Sequence, residues 1–313
     1  MKQFLAKHSP LVIFTILCAV LAIVSEDFRG VGNLQQVALR TCVICLIALG
    51  QLLVILTAGI DLSVGSVAAL AGVVGAKTIK ELGMPVPVGI LAGCATGLAC
   101  GLINGTLTTK GRIPPFIVTL GMMMAARGLA LVVADSVPVF GLPPEFAFLG
   151  GREGWWIPVI ITLTLVAAFT LLLAYTRFGR ALYATGGNAS SARLSGIPTD
   201  RVRILAFALC GLLAGFGGMM HASYTGIGSP NECEGYELDA IAACVIGGTS
   251  LMGGEGGAPG ALAGALIMNV LVNFCNLNDI DVNWQRVLVG VLIVALVFYD
   301  NFRKRRAGLL KEE

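Results

Sequence analysis

The chain has 313 residues, of which 56% are hydrophobic and 12% charged, with a formal net charge of +3. Soluble domains carry about 25% charged residues, so a water-soluble enzyme is excluded, and so small a positive charge gives no footprint for nucleic acid. A mean hydropathy of +0.86, with apolar runs near the ~20 residues that cross ~30 Å of hydrocarbon, points to an all-α polytopic helical membrane protein. A transmembrane barrel would show short alternating segments instead.

Ten apolar segments follow one another, at about 11–24, 34–57, 62–79, 86–107, 116–133, 155–175, 202–222, 238–251, 259–277 and 284–299. The third and eighth are short and Gly-rich. The first follows Lys2 and Lys7 like a signal peptide, but Ser25, Glu26 and Asp27 come next without a small-x-small cleavage site. It reads as an uncleaved first span. With the amino terminus inside, fourteen Lys and Arg residues fall on the inner side and only Arg29, Lys77, Lys80 and Arg152 on the outer. That asymmetry orients the chain, predicts both termini in the cytoplasm, and requires an even number of spans.

A faint internal repeat lies within a single domain, 1–313. The run from Pro87 (PVGILAGCATGLACGLIN) resembles the run from Pro259 (PGALAGALIMNVLVNFCN), and each follows a short Gly-rich segment with an acid. The repeats span about 34–133 and 202–301. An odd offset in span number makes them inverted, a recurring transporter design with broken helices near the substrate path.

Groups able to carry chemistry are few. Eight of the nine cysteines lie in apolar stretches, including Cys42 and Cys45 of a CxxC, and act as small hydrophobes; only Cys233 falls in a polar loop. No metal-ligand spacing, catalytic constellation or phosphate-binding loop occurs, so no metal or cofactor is expected in this chain. The ionisable and amide residues inside or beside spans are the candidates for a translocation path or gate: Asp61, Asn104, Arg127, Asp239, Asn269 and Asn273. Arg40 and Arg286 sit near span ends, where they can snorkel. Arg127, deeper in its span, calls for a protein interior or a wet cavity.

The inner loop at about 176–203 is long, polar and basic. A short helix is predicted at 188–194, set off by Gly186 and Gly187 before it and Gly196 and Pro198 after it, in the manner of a docking knob for a soluble partner.

Three stretches carry a family likeness. The inner loop, with Gly187, Asn188, Ala192, Arg193, Ser195, Gly196 and Ile197, is similar to the cytoplasmic coupling region of the ribose-type ABC importer permeases. The run GYELDAIAACVIGGTSLMGGEG at 235–256 resembles that family's most distinctive signature, and TAGIDLSVGSVAAL at 57–70 a third family segment. The likeness covers nearly the whole chain in order; Glu255, where a basic or small residue is expected, Cys233 and His221 depart from it.

The resemblance implies a type II importer-like permease in a bacterial inner membrane, acting with a second permease subunit, a cytoplasmic ABC ATPase that holds the ATP and Mg, and a periplasmic sugar-binding protein. It implies that Gly187, Asn188, Ala192, Arg193, Leu194, Ser195 and Gly196 couple to the ATPase, with Asn188, Ala192 and Arg193 pressing into its groove. The chain is then a subunit for import of a ribose-like monosaccharide, without an ATPase site of its own. A permease for a nucleoside or branched-chain amino acid, or an ion-coupled secondary transporter, are the alternatives.

Overall fold

Proline and glycine set the helix boundaries, because proline lacks the N–H that a helix interior needs and glycine tolerates the left-handed backbone that ends one. Pro85, Pro114 and Pro198 stand at the starts of three helices, and Gly226, at φ 79°, ends the longest. The computed structural model describes residues 9–151 and 154–306. Among them are twelve α-helices, two short 3-10 turns (Asp27–Arg29 and Pro144–Phe148) and one isolated antiparallel bridge, Val139 with Gly228. The helices are α1 (Ser9–Val24), α2 (Val31–Leu56), α3 (Val64–Lys80), α4 (Val86–Thr109), α5 (Pro115–Val133), α6 (Trp156–Tyr175), α7 (Arg177–Gly187), α8 (Ala189–Leu194), α9 (Thr199–Thr225), α10 (Tyr236–Ile246), α11 (Ala258–Leu277) and α12 (Val282–Arg306). Lys2, Lys7, Arg152 and Lys311, among the basic residues sorted by side above, lie outside the described residues.

Each of the ten apolar segments is a helix, and six of them are long and apolar enough to cross a membrane: α2, α4, α5, α6, α9 and α11. The chain is a multi-pass helical membrane protein. The eighth segment, predicted at 238–251, is helical only over Tyr236–Ile246. Eleven residues rise about 16 Å, roughly half the hydrocarbon thickness. Gly247 and Gly248 stop it, the latter at φ 88°, and the rest of the segment is an irregular turn.

Although α2 is apolar from Cys42 to Leu56 but for Gln51, this stretch does not face lipid. Every residue from Cys45 to Leu56 is buried in the protein, so α2 is the central post of the bundle. It runs antiparallel to α9: Gly50 faces Cys210, and Ile47 faces Gly217. Around this pair, α9 packs on α3 and α4, while α2 packs on α10 and α11. The α4 contact with α9 is the most extensive in the molecule. Gly93, Gly97, Gly101 and Gly105 recur every fourth residue of α4, on the face that meets Gly215, Gly211, Phe207 and Ile204 of α9. Without a hydrophobic force between helices in lipid, close backbone approach through small residues supplies the packing.

Candidate translocation and coupling sites

Where α2 ends, the chain turns through Ala58, at φ 59°, and Gly59 before α3 begins. Asp61 in this turn is 1% exposed, and its carboxylate accepts from the Ser63 N–H (2.8 Å), the Ser63 hydroxyl (2.6 Å) and the Asn104 amide on α4 (3.4 Å). Asn104 also donates to the Ser63 hydroxyl at 3.0 Å. The side-chain amide of Gln51, oriented to satisfy both of its ends, bonds the backbone N–H and C=O of Asp61. Thr119 of α5 donates to the Ile60 carbonyl at 3.3 Å. A buried carboxylate is tolerable only when hydrogen-bonded, and these bonds bind the α2–α3 turn to α4 and α5. Asp61 and Asn104 are thus brought together, in a packed polar knot.

The other path candidates are not part of it. Asn273 and Asn33 exchange amide hydrogen bonds at 2.6 and 3.1 Å, joining α11 to α2. Asn269 donates to Ala265, one turn back on its own helix. Asp239, half-buried in the first turn of α10, lines a groove of about 440 Å³ with Glu234, Glu237, Gln285 and Arg286. Arg286 and Arg40 are exposed.

Arg127 does face the protein interior. Its guanidinium donates to the carbonyls of Pro230 and, at 2.9 Å, Glu232, on the loop between α9 and α10. The same loop is held from α9 by His221, whose Nε2 lies 2.8 Å from the Glu232 carboxylate. That contact holds the Glu232 carboxyl below the usual glutamate range. Cys233, placed in a polar loop by sequence, is 3% exposed beneath it, and burial pushes its thiol pKa up. There is no room for a side chain at Gly65 of α3, because the Glu237 carboxylate and the Cys233 carbonyl occupy the space. The first turns of α3 and α10, one from each half of the chain, therefore abut.

The inner loop holds two helices rather than the one expected. Thr176 caps α7 by accepting from the Gly179 N–H at 3.0 Å, and Asn188 caps α8 by accepting from the Ser191 N–H at 2.9 Å. A side-chain oxygen here satisfies an N–H that the first helical turn leaves free. The predicted break at Gly186 and Gly187 falls instead at Asn188, whose φ of −159° is extended; both glycines are the last residues of α7. Beyond α8, Gly196 turns the chain at φ 82°.

On α8, Leu194 is 91% exposed and, with Ala189, Ser190 and Arg193, lines a shallow surface hollow. Arg193 bonds Asp200 at 2.8 Å and the Thr199 hydroxyl. Ala192, expected to press outward, is 5% exposed and faces its own chain. The period of a helix explains this: 192 lies on the face opposite the exposed ridge, and the sequence pattern of so short a helix does not say which face is inner. Ser195 closes back on the Ser191 carbonyl at 3.0 Å.

Of the residues that seat this hairpin, Gly186 was read from sequence only as a helix boundary, and Leu56 and Tyr183 were not singled out. A Cβ at Gly186 would collide with the carbonyl of Leu56, the last residue of α2. The Gly254 N–H donates to that same carbonyl at 3.1 Å, and the Tyr183 hydroxyl donates to the Gly256 carbonyl at 2.8 Å. Three stretches far apart in sequence, the end of α2, the end of α7 and the turn after α10, thus meet at one point. Tyr183, with Phe178 one of the two aromatics of α7, was the available signal.

Residues 33–297 match the family described as the permease component of branched-chain amino acid transport systems. The chain is 39% identical over 307 residues to the ribose import permease protein RbsC of Escherichia coli K12, covering 96% of this chain and 95% of that one. The chain belongs to this permease family. Against RbsC of Bacillus subtilis this permease is 39% identical over 305 residues, with 96% and 94% covered. Against the L-arabinose permease AraH of Azospirillum brasilense it is 35% identical over 311 residues, with 99% and 91% covered. No solved structure matches it. The family is one of transporter subunits, not of enzymes. The chain is accordingly a membrane permease, and the three stretches that meet at Leu56, Gly186 and Gly254 adjoin or fall within the segments that carried the likeness in the sequence.

Proposed function

We propose that the chain is the membrane subunit of an ATP-driven, binding-protein-dependent importer for a ribose-like monosaccharide. The ribose and L-arabinose permeases align with it over nearly their whole lengths. In this reading it works with a second permease subunit, a cytoplasmic ABC ATPase that holds the nucleotide and Mg, and a periplasmic sugar-binding protein. It lies in the bacterial inner membrane with both termini cytoplasmic, as the distribution of Lys and Arg favours. The inverted repeat is part of the proposal. It is supported by the antiparallel α2 and α9 and by the exchange in which each packs on two helices of the other half.

One observation carries the coupling role: α8 offers an exposed ridge at Ser190, Arg193 and Leu194 while the adjoining α7 is seated against the end of α2. A push on α8 is therefore delivered to the central helix of the bundle. Rigid helices that have two arrangements relative to one another are the means by which such a push alternates access. In this reading sugar contacts come weakly from many polar groups, and selectivity rests chiefly with the binding protein. Uptake of labelled ribose, arabinose and allose into vesicles holding the permease, its ATPase and its binding protein tests this. ATP-dependent uptake of one of them is expected. Uptake driven by an ion gradient without ATP would overturn the proposal.

A further inference from the structure

We infer that Tyr183 is a positioning residue for coupling: its hydroxyl, bonded to the Gly256 carbonyl, makes the turn between α10 and α11 move with the coupling helices. The inference rests on the proposed function in taking α7 and α8 as the receiver of the ATPase's motion.

The Gly253–Gly256 turn leans on two different supports. One is the end of α2, through the bond from the Gly254 N–H to the Leu56 carbonyl at 3.1 Å. The other is α7. Gly253 and Gly254 approach the backbone of Gly186 and Gly187 so closely that a Cβ on either would lie 3.0–3.1 Å from it. The turn is built of Gly253 at φ 86°, Gly254 at φ 75° and Gly256 at φ 144°. These three glycines have no side chains with which to grip a neighbour, and Glu255 carries the one side chain of the turn. Packing alone lets the two surfaces slide, whereas a hydrogen bond has a direction and a length. The Tyr183 hydroxyl supplies such a bond, joining an α7 side chain to this turn at 2.8 Å.

The position of the turn gives the tie its consequence. It directly follows α10, whose first turn abuts α3 at Gly65 and lines the groove with Asp239 and Arg286. Beyond the turn, α11 packs on both α10 and α2. Movement of α7 thereby reaches the second half of the permease by two routes, through Leu56 to α2 and through Gly256 to α10 and α11. Tyr183 governs the second route alone. Cutting it leaves the coupling helices in place on α2 while the α10–α11 turn follows them less faithfully.

Tyr183→Phe removes the hydroxyl and keeps the ring, so the fold and the assembly with the ATPase are preserved. Two measurements on the full complex are needed. Amide hydrogen exchange across 250–257 is expected to quicken in the variant, with exchange across 93–105 of α4 unchanged. Sugar imported per ATP hydrolysed is expected to fall about two- to tenfold at undiminished ATP turnover, the range a single net hydrogen bond supports. Unchanged exchange at the turn, or import and ATP hydrolysis falling together, overturns the tie. Wild-type vesicles that hydrolyse ATP and import no sugar would overturn the proposed function instead, and the exchange comparison would still decide the role of Tyr183.

Discussion

The Arg127 guanidinium on α5 donates to the backbone carbonyl of Glu232, 2.9 Å away and 105 residues further along the chain. A second bond, to Pro230, fixes the same loop, so a cation within an apolar helix is matched by two carbonyl dipoles rather than by a carboxylate. Hydrogen bonds to a charged group are each worth about 1.5–3 kcal/mol. Arg127→Leu is expected to lower the melting temperature of the detergent-solubilised permease and to speed proteolysis within 226–235. Arg127→Lys should restore only part, since one ammonium cannot reproduce the planar fork. Equal melting temperatures for wild type and Arg127→Leu would show that the two bonds contribute nothing.

Acid should loosen the same loop through Glu232. Its carboxyl titrates below the ordinary glutamate value of 4.5 because His221 bonds the charged form. A group with a lowered folded-state pKa contributes its full stability above the unfolded value and loses it as pH falls through the folded one. The advantage of wild type over Glu232→Gln is therefore expected at neutral pH and should vanish as the pH drops through and below the glutamate range. Melting curves of both proteins over that range would reveal it. A difference that is the same at every pH would exclude the carboxylate as its source.

Two neighbouring residues of α8 should fail in different ways. Ala192 is buried, so Ala192→Asp places a carboxylate inside the chain's own packing, at a cost of several kcal/mol, and should reduce the amount of folded permease. Leu194 is 91% exposed, so Leu194→Asp should leave folding and insertion normal and weaken capture of the ATPase. Monodispersity in detergent and co-purification of the ATPase separate the two effects. Normal assembly and import by Leu194→Asp would remove α8 from the docking surface.

Gly97 of α4 meets the Gly211 carbonyl and the Cα of Gly215. A Cβ there must push backbone rather than a flexible side chain, and overpacking of this kind costs about 1–3 kcal/mol or more. Gly97→Leu is expected to lose folded protein, whereas Gly121→Leu on α5, where no neighbour lies within 4 Å, should be tolerated. Yields of monodisperse protein compare them directly.

Much of this molecule was legible in the residues alone. Lipid demands that a helix satisfy its own backbone, so each of the ten apolar runs had to be a helix, and Pro and Gly marked where most of them stop. The permease family was legible too, since 57–70, 235–256 and the inner loop keep long runs of specific residues. What hydropathy could not reveal is which apolar surfaces meet protein and which meet lipid, because both environments accept the same side chains. By composition α2 is a lipid-exposed span; it became the buried post only through packing against α9, α10 and α11. The face on which Ala192 lies, the length of α10, and the separation of Asp61 and Asn104 from Asn269 and Asn273 were likewise decided by tertiary structure. The meeting of Leu56, Gly186 and Gly254 depends on backbone carbonyls and N–H groups. Every residue carries these alike, so no pattern of side chains announces where three distant segments will use them.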